Sequence, residues 1–143
     1  MPAMGVTDFP TKIAVVVRDD LATWQRLNIT AFLMTGIAAT GPEGTVGPNY
    51  EDADGVQYLP MLRQPVLVFE ASADALRKSH RRALEREAEL AIYTHELFAT
   101  GHDDENRAAV KAVHTEDLDL VGLAIRAPHR QADQILRGLK RHP

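Results

Sequence analysis

The chain has 143 residues, 45% apolar and 25% charged, the balance of an ordinary globular protein with one core. Its formal charge of -4 argues against a dedicated nucleic-acid binder, which draws affinity from Lys and Arg set against phosphates. The absence of cysteine excludes disulfides, thiolate nucleophiles and Cys-based zinc or iron–sulfur sites, and no apolar run nears the ~20 residues that span a bilayer.

Residues 1–11 read as an arm, because Met1–Pro10 carries Asp8 and two prolines and has no hydrophobic signal core. Residues 12–143 read as one α/β domain, and the protein is expected to be cytoplasmic. Ile13–Val17 is a β-branched, wholly apolar run that suits a strand covered on both faces. It stops at Arg18-Asp19-Asp20, where either aspartate can cap the helix that follows. On that helix Leu21, Trp24, Leu27, Ala31 and Met34 or Thr35 recur at three- and four-residue steps, which predicts the inner face. Gly36 and Gly41-Pro42 mark its end. Tyr50–Tyr58 predicts two short strands about the Asp54-Gly55 turn. Pro65–Phe69 predicts a second buried strand, and Ser72 caps a helix over Ala73–Ala88. Leu90–Tyr93 predicts a third buried strand. A polar loop follows at Gly101–Asn106, with a short helix from about Asp103 to Val113. Leu120–Ile125 predicts the last strand. Pro128 opens a helix with Ala132, Ile135, Leu136 and Leu139 on its inner face. The alternation predicts a three-layer α/β/α fold with a small mixed, mostly parallel sheet.

A site in such a fold sits where strand carboxyl ends meet helix amino ends. Two corners qualify. At the first, Arg18, Asp20, Trp24 and Asn28 gather, and Asn28 is a polar amide on an apolar stripe. It is either a core amide bonded to main chain or a ligand-facing group near the positive end of the helix. Trp24 is either core or a stacking platform, and Arg18 and Asp20 either pair locally or face a ligand. At the second corner stand Thr94, His95 and Glu96. They open a helix or contact a ligand, and His95 carries an imidazole, the side chain type suited to proton transfer. Neighbours on an extended chain point to opposite faces, so the three make a poor triad.

These segments carry a resemblance. Lys12–Arg18 followed by Asp20-Leu21, and the closing run Leu120–Pro128, resemble the first and last strands of type II peptidyl-tRNA hydrolases. Trp24–Leu33, Tyr58–Phe69 and Ile92–His102 are similar to domain-of-unknown-function family two thousand, small proteins sharing that hydrolase fold. The similarity covers nearly everything after Thr11. It implies the fold and little about activity, since the family has no agreed activity. The hydrolases carry a Gly-Lys pair early in the first helix. Here Gln25, Arg26 and Leu27 occupy that region, no lysine lies between Lys12 and Lys78, and Arg26 stays charged at any working pH. Where the hydrolases have an acidic stretch after a central strand, this chain has Tyr93–Glu96.

Other chemistries lack their residues. There is no Walker lysine loop, no G-x-G-x-x-G after the first strand and no G-x-S-x-G elbow. His95, His102 and Asp103–Glu105 lack H-E-x-x-H spacing, so no metal is assigned, and no cofactor is implied. The basic residues of Arg77–Arg86 and Arg130–Arg141 read as solvated helix faces without an interleaved aromatic platform. The expected function is therefore binding of a small polar ligand without strong catalysis. One alternative is hydrolysis of a peptidyl- or aminoacyl-tRNA ester, with tRNA a disfavoured partner. The other is a homodimeric interaction module using the Tyr50–Tyr58 hairpin. No membrane partner is expected.

Overall fold

The computed structural model describes residues 9–143. The arm expected over residues 1–11 lies outside the described residues up to residue 8, and Thr11 already belongs to a strand. The elements in chain order are β1 (Thr11–Arg18), α1 (Thr23–Ala39), β2 (Tyr50–Glu51), β3 (Gln57–Tyr58), β4 (Val66–Ala71), α2 (Ala73–Glu85) and β5 (Glu89–Thr94). Then come a 3-10 turn at His95–Phe98, α3 (Asp103–Lys111), a second 3-10 turn at Thr115–Asp117, β6 (Leu120–Pro128), α4 (His129–Ile135) and β7 (Lys140–Arg141).

Five strands form one mixed sheet in the order β5-β6-β1-β4-β7, and β2 and β3 form a separate hairpin. The sheet departs from the mostly parallel expectation. Among the described residues only β1 and β4 pair in parallel, while β6 runs antiparallel to both β1 and β5, and β7 runs antiparallel to β4. The cause lies in the link between β5 and β6. Thr94 pairs with Leu120, so the connection leaves and re-enters the sheet at one end, and a strand entering there must run the other way. Strand β5, which the sequence predicts as a buried strand, lies at the edge of the sheet.

Strand β1 lies at the centre, with Ile13–Val17 at most 1% exposed. Its alternate residues serve two cores. Ile13, Val15 and Val17 pack with Ile29, Leu33 and Ile37 of α1, whereas Ala14 and Val16 pack with Leu76 and Ala83 of α2 and Ala132 and Ile135 of α4. Ser72 Oγ caps α2 by accepting from Ala75 N at 3.2 Å, as its sequence predicts. At α1 the cap differs from expectation. Neither Asp19 nor Asp20 serves; Gln25 reaches back to accept from Ala22 N at 3.0 Å.

The inner face of α1 is also not the expected one. Ile29, Leu33 and Ile37 are buried, while Trp24 and Leu27 are 60% and 67% exposed. Arg26 is the only charged residue in the helix, and it folds back to donate to Asp19 O at 2.7 Å and Leu21 O at 3.2 Å. With apolar residues on both sides, periodicity could not choose between them. The sheet chooses, at Gly122 of β6. A Cβ there would meet Ile29 Cγ2 at 2.5 Å and Val16 O at 3.3 Å, so the missing side chain is the socket for Ile29. The far end of α1 is held by buried Arg126 of β6, which donates to Ile37 O at 2.5 Å and to Glu89 Oε2 at 2.6 Å. That guanidinium satisfies one of the carbonyls left open at a helix carboxyl end.

The hairpin forms about Gly55, whose φ of +84° suits glycine. Asp52 organises it, accepting from Tyr58 Oη at 2.7 Å, Asp54 N at 3.0 Å and Val56 N at 3.1 Å. These bonds, the one from Tyr58 foremost, hold the Asp52 carboxyl below its ordinary pKa. Strand β7 was not foreseen; two residues carry no readable strand pattern.

Gly122→Ala is expected to destabilise the fold by about 1–3 kcal/mol in urea unfolding, the usual cost of overpacking. Gly101→Ala, where an added Cβ meets nothing within 4 Å, should be close to neutral. Because the folded pKa of Asp52 is lowered, its contribution is complete above the ordinary carboxylate pKa and lost as pH falls through the folded value. Acid titration followed by NMR should therefore loosen the hairpin signals first, and Asp52→Asn should show the loosened state at neutral pH.

Candidate functional site

Helix α1, strand β5 and the start of α3 enclose a cavity of about 420 Å³. Trp24, Asn28 and Phe32 come from α1, Tyr93 from β5, and Leu97 and Phe98 from the 3-10 turn. Thr100, His102 and Asn106 close it from the loop and α3. Through shared Phe32, Tyr93 and Asn106 it runs on into a groove of about 660 Å³ that reaches Gly36, Arg107 and Lys111.

The walls are aromatic and interlocked. Phe98 lies 5.6 Å from Trp24 at 70° and 5.1 Å from Tyr93 at 46°, centroid to centroid, and Phe32 stands 6.2 Å from Tyr93. Such tilted pairs suit the ring quadrupoles. Two amides share the lining with the rings. Tyr93 Oη donates to Asn28 Oδ1 at 3.3 Å, and burial pushes the Tyr93 hydroxyl pKa up, keeping it a neutral donor. Thr100 Oγ1 lies against both Asn106 Oδ1 and Leu97 O, and its single proton serves one of them. Each amide oxygen thus lies beside a hydroxyl. Among the described residues neither amide nitrogen has a protein acceptor.

The sequence-derived residues part company here. Trp24 and Asn28 both line the cavity. Thr94 does not: its cross-strand partner Leu120 belongs to the core beneath α2, so the sheet separates Thr94 from Asn28. Thr94 is 1% exposed, and its Oγ1 has no partner among the described residues. His95 and Glu96 are exposed and outside the lining, although the His95 ring meets the edge of Phe98 at 5.7 Å. Arg18 pairs with Asp20 at 2.7 Å and with Asp119 at 2.9 Å, and donates to Leu120 O at 3.2 Å. It ties the end of β1 to the start of β6, away from the cavity. Among the described residues no group of three or more His, Asp and Glu side chains could hold a metal ion, and no helix is long and apolar enough to cross a membrane.

Reasoning from sequence missed Tyr93, Phe98, Thr100 and Asn106. Tyr93 was within reach, since strand alternation puts it on the side opposite Thr94. Asn106 was not, because nothing local says that α3 stands across the groove from β5.

The family described as protein of unknown function DUF2000 matches residues 11–143. The chain belongs to the DUF2000 family. A solved structure of a protein of unknown function from Agrobacterium tumefaciens shares 46% sequence identity with this chain at a TM-score of 0.91. The match covers 94% of this chain and 99% of that one. No curated protein matches significantly.

The Tyr93–Asn28 bond is testable within this DUF2000 chain. Tyr93→Phe is expected to cost about 0.5–1.5 kcal/mol in urea unfolding. A double-mutant cycle with Asn28→Ala should return a coupling of about 0.5–1 kcal/mol; additive losses would show that the two groups do not interact.

Proposed function

We propose that the protein binds a small, planar, polar ligand in the cavity between α1, β5 and α3, without strong catalysis of its own. The observation that carries this reading is the pair of amides, Asn28 and Asn106, which line the cavity among aromatic rings, each beside a hydroxyl and with no protein acceptor for its nitrogen among the described residues. Flat walls and a few convergent donors are what a small-molecule site needs, and about 420 Å³ falls within the usual range. Trp24 and Phe98 would cover the faces of the ligand, and the amides would fix its edge. His95 and Glu96, beside Phe98, would stand at the rim. Arg18, Asp20 and Thr94 would hold the framework.

The reading extends to the three-layer α/β/α arrangement similar to type II peptidyl-tRNA hydrolases, to a single domain over residues 12–143 and to a cytoplasmic setting. It ranks binding above tRNA ester hydrolysis. Arg26, the cation nearest the place of the hydrolases' lysine, is spent on main-chain carbonyls of the β1–α1 corner. The basic residues of α2 belong to the helix that covers the opposite side of the sheet from α1.

Trp24 is the only tryptophan, so occupancy can be read directly by fluorescence. Native mass spectrometry of the freshly purified protein is expected to show a retained small molecule. Adding that compound back to stripped protein should shift Trp24 emission. Asn28→Ala and Asn106→Ala should each weaken binding about 3- to 10-fold, the loss of one hydrogen bond. Two folded variants that bind the compound as the parent does would remove this reading.

A further inference from the structure

The outer face of α1 calls for a partner. Trp24, Leu27, Ala31, Thr35 and Ala38 recur at three- and four-residue steps on the side away from Ile29 and Leu33, and none carries a charge. Helix α2 shows what a solvated face looks like in this protein, with exposed Arg77, Lys78, Arg81 and Glu85. By contrast, Trp24, Leu27 and Phe32 are 60%, 67% and 60% exposed. Exposed apolar surface of this extent marks an interaction site.

From this we infer that the occupant is a second copy of the chain, docked antiparallel across α1 with a two-fold axis beside Ala31. The face shares Trp24 and Phe32 with the cavity wall, but its test needs no ligand. The main support is the taper of the stripe. The amino-terminal half is bulky, with Trp24 and Leu27, and the carboxyl-terminal half is small, with Thr35 and Ala38. A two-fold through Ala31 lays Trp24 over the partner's Ala38 and Leu27 over the partner's Thr35, so large meets small in both directions. That self-complementarity is what an isologous interface requires. The space is open as well: a Cβ built on Gly36, beside the small half, meets nothing within 4 Å.

The area suffices. With aromatic side chains of about 150–250 Å² each, the exposed parts of the α1 stripe and Phe32 amount to roughly 500 Å². Two copies would together bury roughly 1,000 Å², the lower bound for a specific interface. Aromatic residues with few charges at the centre are the usual composition of an interface core. The net charge of -4 on each copy gives no obstacle at a face that carries none.

Sedimentation velocity of the full chain and of two charged variants tests this. The parent is expected to sediment as a dimer at concentrations on the order of 100 µM. Ala31→Glu and Ala31→Lys, each facing its own copy at the axis, should sediment as monomers with unchanged circular dichroism. An equimolar mixture of the two should recover the dimer, which neither variant could do if it had merely failed to fold. A monomeric parent, a variant that stays dimeric, or a mixture that stays monomeric would overturn the proposal.

Discussion

Helix α1 reaches the sheet through a missing side chain. Gly122 opens a socket in β6, Ile29 fills it, and that contact sets the rotation of the helix about its axis. The rest follows from that rotation. With Ile29 and Leu33 turned in, Asn28 is carried to the flank above β5, where Tyr93 can reach it, and Trp24 is carried outward. A rotation by one residue position, about 100°, would move the amide off Tyr93 and dismantle the cavity wall. Arg126 secures the other end of α1 by taking a carbonyl of its last turn, so the orientation is held at both ends of the contact.

Much of the fold was legible because local and global signals agreed. The all-apolar run Ile13–Val17 can only sit between two cores, and it does. Ser72 and the Asp54-Gly55 pair announce a helix start and a tight turn through chemistry that needs no tertiary context. The failures have equally specific causes. Helix α1 has two apolar sides, and only Gly122, nearly a hundred residues on, decides which is inner. Strand–helix alternation implies crossovers and so a mostly parallel sheet, whereas the approach of β6 is fixed by Thr94 meeting Leu120. Strand β7 is a strand only because β4 offers it an edge.

The candidate site divides in the same way. Trp24 and Asn28 could be singled out because a polar amide on an apolar stripe is anomalous wherever the stripe faces. Thr94, His95 and Glu96 were grouped with them by proximity to a strand end, but alternation sends adjacent side chains to opposite sides of a sheet. The partner across the cavity is Tyr93, one residue earlier. Asn106 reaches the cavity because α3 stands across the groove from β5, a long-range arrangement with no local sign.

The far edge of the sheet rests on very little. Two residues of β7 cover β4: Lys140 and Arg141 lie opposite Glu70 and Phe69, His142 N donates to Val68 O at 2.9 Å, and the Arg141 guanidinium sits 5.6 Å from the Phe69 ring. Beneath them runs Val66-Leu67-Val68-Phe69, a segment well suited to stacking against its like. Lys140 and Arg141 therefore act as gatekeepers. Clipping or fraying of that short strand would bare an adhesive ribbon, and loss of solubility would precede any loss of the core.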